Sequence, residues 1–219
     1  MIYLNETMTV QPSKLDAYVR DFSTELVPVF AKYDIQLLGL FQTWRTNELR
    51  AFWELKDHAA LDQLDKVSKE DEALIKYTMR AMQSRLSFSN RILSPTKFCP
   101  DLARIKKEGL KGGVYMLATI PIVPEKMNEY FDLFPQFGLR FEERYGLKTV
   151  GDWRGGGGEP YQSEAFFGTQ LCAGESWAFW ARFGVERNKD PEVQAWMARA
   201  LNYRTHHRIS YLVPAFLTY

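Results

Sequence analysis

The chain has 219 residues, and its 28 basic and 27 acidic side chains nearly cancel to a formal net charge of +1. Because no basic stripe is visible, nucleic acid and anionic membranes are not expected as main partners. No apolar run approaches the roughly 20 residues of a membrane-spanning helix. The N-terminus begins directly with a strand pattern and shows no targeting segment, so we expect a cytoplasmic protein.

The two cysteines, Cys99 and Cys172, lie far apart in the sequence, and neither belongs to a CxxC pattern. Disulfide frameworks and zinc sites use closely spaced, recurring cysteines. We therefore predict two free thiols in a reducing compartment.

The first half begins with alternating apolar and polar residues over 2–10, which predicts a strand. Pro12 and Ser13 end this strand, and an apolar stripe then predicts a helix that Pro28 breaks or kinks. Strands are predicted at 36–46 and 50–55, joined by a hairpin loop. Residues 58–86 read as two helical pieces, and a last strand begins at about Arg91. The predicted order is βαββαβ.

The second half repeats this order. A strand is predicted at 114–122, a helix from about Glu125, a strand near 147–153, a helix from about Asp190 and a strand near 209–218. An extended hairpin insertion is predicted at 154–176, followed by a third strand at 177–183. That third strand is placed by an offset of 127 positions, which sets Ala178-Phe179-Trp180 on Ala51-Phe52-Trp53.

The two halves share a register, which indicates a tandem duplication. An offset of 112 positions sets Tyr115 on Tyr3, Thr119 on Thr7, Pro124 on Pro12, Tyr130 on Tyr18, Tyr145 on Tyr33 and Gly151 on Gly39. An offset of 119 sets Trp196 on Tyr77, Arg204 on Arg85 and His207 on Phe88. We predict a first repeat at 1–99, a charged, glycine-rich linker at 100–113 and a second repeat at 114–219. The fold class is then α+β, with two tandem ferredoxin-like units.

A family resemblance rests on the opening strands Ile2-Tyr3-Leu4 and Val114-Tyr115-Met116, the turns at Pro12 and Pro124, and the strand end Trp53-Glu54-Leu55-Lys56-Asp57. With these features the chain resembles the dimeric α/β-barrel superfamily, and most of all its NIPSNAP-like branch. The resemblance implies that the two antiparallel sheets pack into a barrel within one chain, and that each half has a pocket between its sheet and its helices. Members of the superfamily include cofactor-independent oxygenases, isomerases, lyases, haem enzymes and proteins without known activity, so the fold leaves function open.

Histidines are the first candidates for chemistry, because imidazole exchanges protons near neutral pH. His207 falls on Phe88, so an inward-facing ring is expected, either as an acid–base group or as a satisfied core histidine. Its neighbour His206 is a candidate for substrate binding. Adjacent residues on a helix point about 100° apart, so the pair is not expected to bind one metal ion. His58 opens a polar helix and is expected at the surface.

Carboxylates are the second candidates. Glu6 shares a strand face with apolar residues, so burial would raise its pKa, and its counterpart in the second half is Ala118. Asp152 lies among aromatics beside Arg154, where it could move a proton while the guanidinium stabilises developing negative charge. Alternatively, Glu6 is a paired structural carboxylate and Asp152 a residue at the entry of a hairpin.

Aromatic residues are dense in the second half and suit a pocket for a rigid, apolar molecule such as a terpenoid or polycyclic aromatic, although most aromatic residues serve the core. The predicted substrate-binding residues are Tyr115, Trp153, Trp177, Trp180, Tyr203 and His206. Four consecutive glycines follow Arg154, but no Gly-Lys-Ser/Thr follows them, so a mobile hairpin that acts as a lid is favoured over a phosphate loop.

Three functions remain open from the sequence. The first is a cofactor-independent isomerase or lyase that acts by general acid–base catalysis on a small apolar molecule, with Asp152, His207, Arg154 and Glu6 as catalytic candidates. The second is a non-catalytic ligand-binding or assembly module of NIPSNAP type. The third is an oxidative enzyme, either a cofactorless monooxygenase or a haem protein with His207 on the iron. A monomer or a homodimer is expected.

Overall fold

The computed structural model describes residues 1–133, 144–156, 166–204 and 207–219. The fold is mixed α+β, and the eight strands of the described residues belong to one antiparallel, barrel-like sheet, which confirms the predicted fold class. Two compact units are present: the first comprises Met1–Ser94 and Val213–Tyr219, and the second comprises Pro95–Leu212. Among the described helices, none has the length and apolar character needed to cross a membrane.

The first unit contains the strand order β4-β1-β3-β2. Its strands are β1 (Ile2–Val10), β2 (Gln36–Thr43), β3 (Glu48–Leu55) and β4 (Arg85–Pro95). Its helices are α1 (Leu15–Asp21), α2 (Val27–Ala31), α3 (Ala59–Glu70) and α4 (Glu72–Met82), with a π-helical turn, Phe22–Leu26, between α1 and α2. A continuous apolar core lies between this sheet and its helices.

The second unit has the equivalent order β8-β5-β7-β6. Its strands are β5 (Val114–Pro121), β6 (Lys148–Gly156), β7 (Phe166–Gly174) and β8 (Arg208–Leu217). Strand β8 belongs to the second unit up to Leu212 and to the first unit from Val213. Its helices are α5 (Leu102–Glu108), α6 (127–133), α7 (Trp177–Lys189) and α8 (Pro191–Ala200). The segment 100–113, predicted to be a linker, therefore contains a helix.

The duplication extends to the capping of the last helix in each unit. Asp71 accepts hydrogen bonds from the first backbone amides of α4 and from the hydroxyl of Tyr33 at 2.9 Å. Asp190 does the same at α8, where the hydroxyl of Tyr145 donates at 2.6 Å. These hydrogen bonds stabilise the charged carboxylate and lower the pKa of both aspartates.

The third strand of the second half is β7, so its predicted position at 177–183 is wrong. Ser176 accepts a hydrogen bond from the Phe179 amide and starts helix α7 there. Phe179, Trp180 and Phe183 then recur at helical spacing and face the core, a stripe that the sequence analysis read as a strand. The predicted insertion at 154–176 is likewise too long, because β6 continues to Gly156 and β7 begins at Phe166. Residues 157–165 lie outside the described residues, and so does the predicted lid.

Strand β4 also begins earlier than predicted, at Arg85 rather than Arg91. Its alternation of exposed apolar and polar residues resembled the end of a helix in sequence. Pairing of β4 with β1 over eight residues establishes the strand.

A bulge marks both second strands, at Gly39 in β2 and at Gly151 in β6. The ring of Trp153 lies directly over Gly151, and a Cβ atom there would fall 1.8 Å from a ring carbon. Gly39 has the same relation to Phe41, at 2.6 Å. Each glycine therefore leaves room for a large ring two residues further along its strand.

We predict that Gly151→Ala destabilises the protein by at least about 1–3 kcal/mol, because the buried Trp153 ring has to move. Gly184→Ala, in helix α7, is the matched control, since a Cβ atom there meets nothing within 4 Å. It should leave stability unchanged or raise it by up to about 1 kcal/mol. Chemical denaturation of both variants measures the difference, and equal stabilities would contradict this account of the bulge.

Candidate functional site

The second unit contains a cavity of about 80 Å³ between its sheet and helices α7 and α8. Alternate residues of β5 form one wall, namely Met116, Ala118 and Ile120, since side chains on one face of a strand recur every two residues. Gln170 and Cys172 of β7 continue this wall.

Residues three or four positions apart on the helices form the opposite wall, with Phe183 and Arg187 from α7 and Val193, Trp196 and Met197 from α8. Thr149 of β6 and Ile209 of β8 belong to the sheet wall, and Leu147, Arg204 and His207 complete the lining. The cavity is thus mainly apolar with a few polar groups, as is typical of small-molecule sites. Its described lining includes two arginines and no carboxylate.

The equivalent space in the first unit is filled by Trp53. Leu4 pairs with Trp53 just as Met116 pairs with Cys172, so the two residues occupy equivalent positions. The Trp53 ring is fully buried against Phe22, at a centroid distance of 5.4 Å. A thiol at Cys172 is far smaller than an indole, and this difference helps to open the cavity in the second unit.

A second replacement enlarges the same space. Glu6 in β1 accepts a hydrogen bond from the indole of Trp53 at 2.8 Å and is 8% exposed. Ala118 occupies the equivalent position in β5 and lines the cavity. The first unit therefore fills this space with a large ring and a carboxyl group, whereas the second unit has the smaller side chains of Cys172 and Ala118 at the two equivalent positions.

Arg204 is the buried cation of the cavity, with 5% of its surface exposed. It follows α8, and an isolated backbone bridge to Ile122 fixes its position. The guanidinium lies 5.2 Å from the ring centroid of Trp196 and donates to the sulfur of Met197 at 3.3 Å. Over the described ranges, no carboxylate approaches Arg204 within the 4 Å of an ion pair.

Tyr130 lies close enough to Arg204 for the positive charge of the guanidinium to lower the pKa of the phenol. Burial raises the pKa of Tyr130 to about 12, the positive charge of Arg204 partly opposes this rise, and the negative charge of Asp152 adds to it. The phenol therefore remains protonated and neutral at pH 7, so it supplies no negative charge to balance the guanidinium.

His207 is half-buried and lines the cavity immediately before β8. The register confirms its equivalence to Phe88, since Thr119 pairs with Arg208 as Thr7 pairs with Ser89. Phe88 itself is 44% exposed, so the inference that the first half buries a ring at this position is wrong. The imidazole faces the cavity because its own strand begins beside β5.

Asp152 is buried on β6 but does not line the cavity. Its carboxylate accepts hydrogen bonds from the hydroxyl of Thr96 and from the amide of Gln170, the latter at 3.2 Å. Its backbone N–H lies 3.4 Å from the sulfur of Cys99. Since Gln170 does line the cavity, Asp152 orients a cavity residue rather than meeting a ligand itself.

The remaining predicted catalytic residues are not part of this cavity. Arg154 stacks on Phe131 at 4.5 Å and contacts Asn128, while Glu6 belongs to the first unit.

Among the predicted binding residues, Tyr115 and Trp153 are fully buried, and the indole of Trp180 donates to the carbonyl of Val114 at 3.1 Å. Trp177 is 39% exposed, and Tyr203 packs against Lys126. None of these five lines the cavity, and His206 lies outside the described residues.

Sequence analysis missed Arg204, Gln170, Cys172 and Arg187 as cavity residues. Arg204 and Arg85 were already matched by the repeat, and so were Ala118 and Glu6. The sequence therefore already pointed to Arg204. Both halves have an arginine at this position, but only the first half has a glutamate at the position of Glu6 and Ala118. Within the described ranges, no three His, Cys, Asp or Glu side chains are grouped as a metal site, and neither Cys99 nor Cys172 forms a disulfide there.

Family comparison matches the NIPSNAP model to the first half of the chain. Residues 3–100 are a NIPSNAP match. This region covers the first unit up to the start of the second, so the predicted NIPSNAP resemblance is confirmed there. A comparison with curated proteins finds no match.

Solved structures resemble the chain over nearly its whole length. A monooxygenase-like protein from Lactobacillus acidophilus NCFM has a TM-score of 0.65 at 9% identity, covering 98% of this chain and 94% of its own. One from Fusobacterium nucleatum has a TM-score of 0.62 at 11% identity, covering 98% and 92%. An anthrone oxidase-like protein has a TM-score of 0.66 at 11% identity, covering 97% and 90%. At such low identity these similarities show the fold alone.

Glu6 in the NIPSNAP region provides a pH-dependent test. Burial raises the pKa of Glu6 above its ordinary value of 4.5, although the Trp53 hydrogen bond and the charge of Arg85 oppose the rise. Between pH 4.5 and the raised pKa, the folded protein keeps a proton that the unfolded chain loses. The free energy of unfolding should therefore fall as pH rises through this window and level off above it.

We predict that Glu6→Gln removes this part of the pH dependence, as measured by urea unfolding at a series of pH values. Glu72→Gln, which changes an exposed carboxylate of α4, is the control and should retain the wild-type slope. If Glu6→Gln and wild type keep the same slope, then Glu6 is not the buried acid described here.

Proposed function

We propose that the protein is a cofactor-independent enzyme of the isomerase or lyase type, which moves a proton on a small apolar molecule bound in the second-unit cavity. The observation that carries this proposal is the position of His207, a proton-exchanging group on the wall of a mainly apolar cavity. General acid–base catalysis needs such a group within hydrogen-bond reach of the substrate.

The other polar groups of the cavity suit the same chemistry. Removing a proton from carbon leaves negative charge on the substrate, and a preorganised cation in a dry site stabilises that charge. Arg204 is buried at the cavity and takes the role that sequence analysis gave to Arg154. Asp152 holds Gln170 through its amide, so these two residues would orient the substrate without exchanging its proton.

The apolar walls support a particular class of molecule. Met116, Ile120, Phe183 and Trp196 offer hydrocarbon and aromatic surface, which favours a compact aromatic or terpenoid ligand. Closure of this surface around a ligand would also exclude water, which strengthens electrostatic interactions inside the site.

Oxygenation of the same ligand without a cofactor is a second candidate. It is favoured by the names of two fold neighbours, a monooxygenase-like and an anthrone oxidase-like protein. Such a reaction would consume oxygen, whereas isomerisation or elimination would not, so an oxygen electrode separates the two. The haem alternative predicts a Soret band in the purified protein, and a non-catalytic NIPSNAP module predicts binding without turnover.

Solvent deuterium provides the direct test, because a proton exchanged by His207 would be replaced by deuterium in heavy water. We predict that the wild-type protein labels one member of a panel of small aromatic and terpenoid ketones at the carbon beside the carbonyl, as followed by NMR. His207→Phe should lower the rate of labelling at least about 100-fold. Its melting temperature should stay equal or rise, because the equivalent position holds Phe88.

His58→Phe is the matched control, since it removes a histidine at the start of α3, far from the cavity in the sequence and in the other unit. It should label at the wild-type rate. A His207→Phe protein that is destabilised yet labels as fast as wild type would make His207 a structural residue and refute the proposal.

A further inference from the structure

The duplication allows each polar group of the cavity to be compared with its counterpart in the first unit. Arg85 is the counterpart of Arg204, and each follows the last helix of its unit. The guanidinium of Arg85 donates to the hydroxyl of Tyr18 at 2.7 Å, and Arg204 lies beside the equivalent Tyr130. The two arginines therefore occupy the same local setting.

The first unit provides an internal carboxyl group for this setting. Glu6 is buried among the same side chains, and the charge of Arg85 acts on it favourably, lowering its pKa against the larger effect of burial. A buried guanidinium near a buried carboxylate recovers part of the solvation that both groups lose on folding.

The second unit keeps the cation but has no acid among the described residues that line the cavity. Ala118 replaces Glu6, the Tyr130 phenol is neutral, and the described lining contains a second arginine, Arg187, but no acid. The charge of Asp152 also acts on Tyr130, but its carboxylate accepts hydrogen bonds from Thr96 and Gln170 and does not line the cavity. Burying a guanidinium with no carboxylate within ion-pair distance is costly, so a site of this kind is completed by a ligand that carries the opposite charge.

We propose that the second-unit cavity binds a small apolar acid, whose carboxylate pairs with Arg204 in the space that the Glu6 side chain occupies in the first unit. This inference rests on the proposed function, because it names the substrate class for the same cavity. The planar guanidinium matches a carboxylate with two parallel hydrogen bonds. The apolar body of the ligand lies where Trp53 lies in the first unit, against Cys172 and the ring of Trp196.

The first test compares benzoate with benzamide, two probes of nearly equal shape that differ in charge, by calorimetric titration of the full chain. Wild type should bind benzoate at least about tenfold more tightly, the ratio expected for hydrogen bonds to a charged group. Arg204→Met should remove this preference. Arg182→Met, which changes an exposed arginine of α7 outside the cavity lining, is the control and should retain it, and Arg187→Met tests whether the other arginine of the cavity carries the preference instead.

Equal binding of the two probes, or a preference that survives in Arg204→Met, would overturn the inference. A preference lost only in Arg187→Met would also overturn it, since the anion would then lie at the other arginine.

The second test needs no ligand. Ala118→Glu restores the carboxylate of the first unit, and Ala118→Gln adds the same bulk without charge. Replacing Arg204 with methionine should lower the melting temperature of Ala118→Glu more than that of Ala118→Gln. Equal losses in the two backgrounds would mean that Arg204 does not face the position of Ala118, and the inference would fail even where both probes fail to bind.

These results separate the inference from the proposed function. If deuterium labelling is independent of His207 while benzoate retains its preference through Arg204, the catalytic proposal fails and the acid site stands. If labelling depends on His207 but the charge preference is absent, the acid site fails alone.

Discussion

The antiparallel register between neighbouring strands determines which side chains of each unit face its helices. In the second unit, pairing of Met116 with Cys172 and of Ala118 with Gln170 brings all four side chains to the cavity wall. Shifting the register by one residue would turn this whole set to the opposite face of the sheet. The bulge next to Gly151 shifts the register of β6 against β7. The glycine there also leaves room for the Trp153 ring against β6. The cavity therefore depends on strand pairing more than on any single polar contact.

The two units fill the equivalent space between sheet and helices with different side chains. The first unit closes its interior with Trp53 and Glu6, and the second replaces them with Cys172 and Ala118 while retaining the arginine that follows its last helix. Removing a large ring from a core normally costs several kcal/mol through the space left behind. A ligand that fills the space and neutralises the guanidinium would offset that cost, which links the asymmetry of the two units to binding.

Sequence alone predicted the duplication, the βαββαβ order of the first half and the family resemblance, because an offset of 112 is kept from the first strand to Gly151. It misplaced β7, because Ala178-Phe179-Trp180 has the same three residues as Ala51-Phe52-Trp53 of β3. The aromatic residues of 177–183 form a helical stripe instead, and Ser176 caps that helix. It also proposed Arg154, whereas the arginines that line the cavity are Arg187 and Arg204. Arg154 stands next to Asp152 in sequence, whereas Arg204 reaches the cavity through the turn after α8, and nearness of this kind depends on tertiary packing. His207 was placed at the pocket through its match to Phe88, although the reason given, a buried ring in the first half, was wrong.

The central claim is that an acidic ligand binds in the second-unit cavity with its carboxylate on Arg204. A crystal structure of the full chain soaked with 4-bromobenzoate would locate the ligand through the anomalous signal of its bromine. We expect the bromine near Cys172 and Trp196, and the carboxylate oxygens within hydrogen-bond distance of the Arg204 guanidinium. A ligand bound elsewhere, or an Arg204 guanidinium paired with a carboxylate of the chain itself, would contradict the central claim.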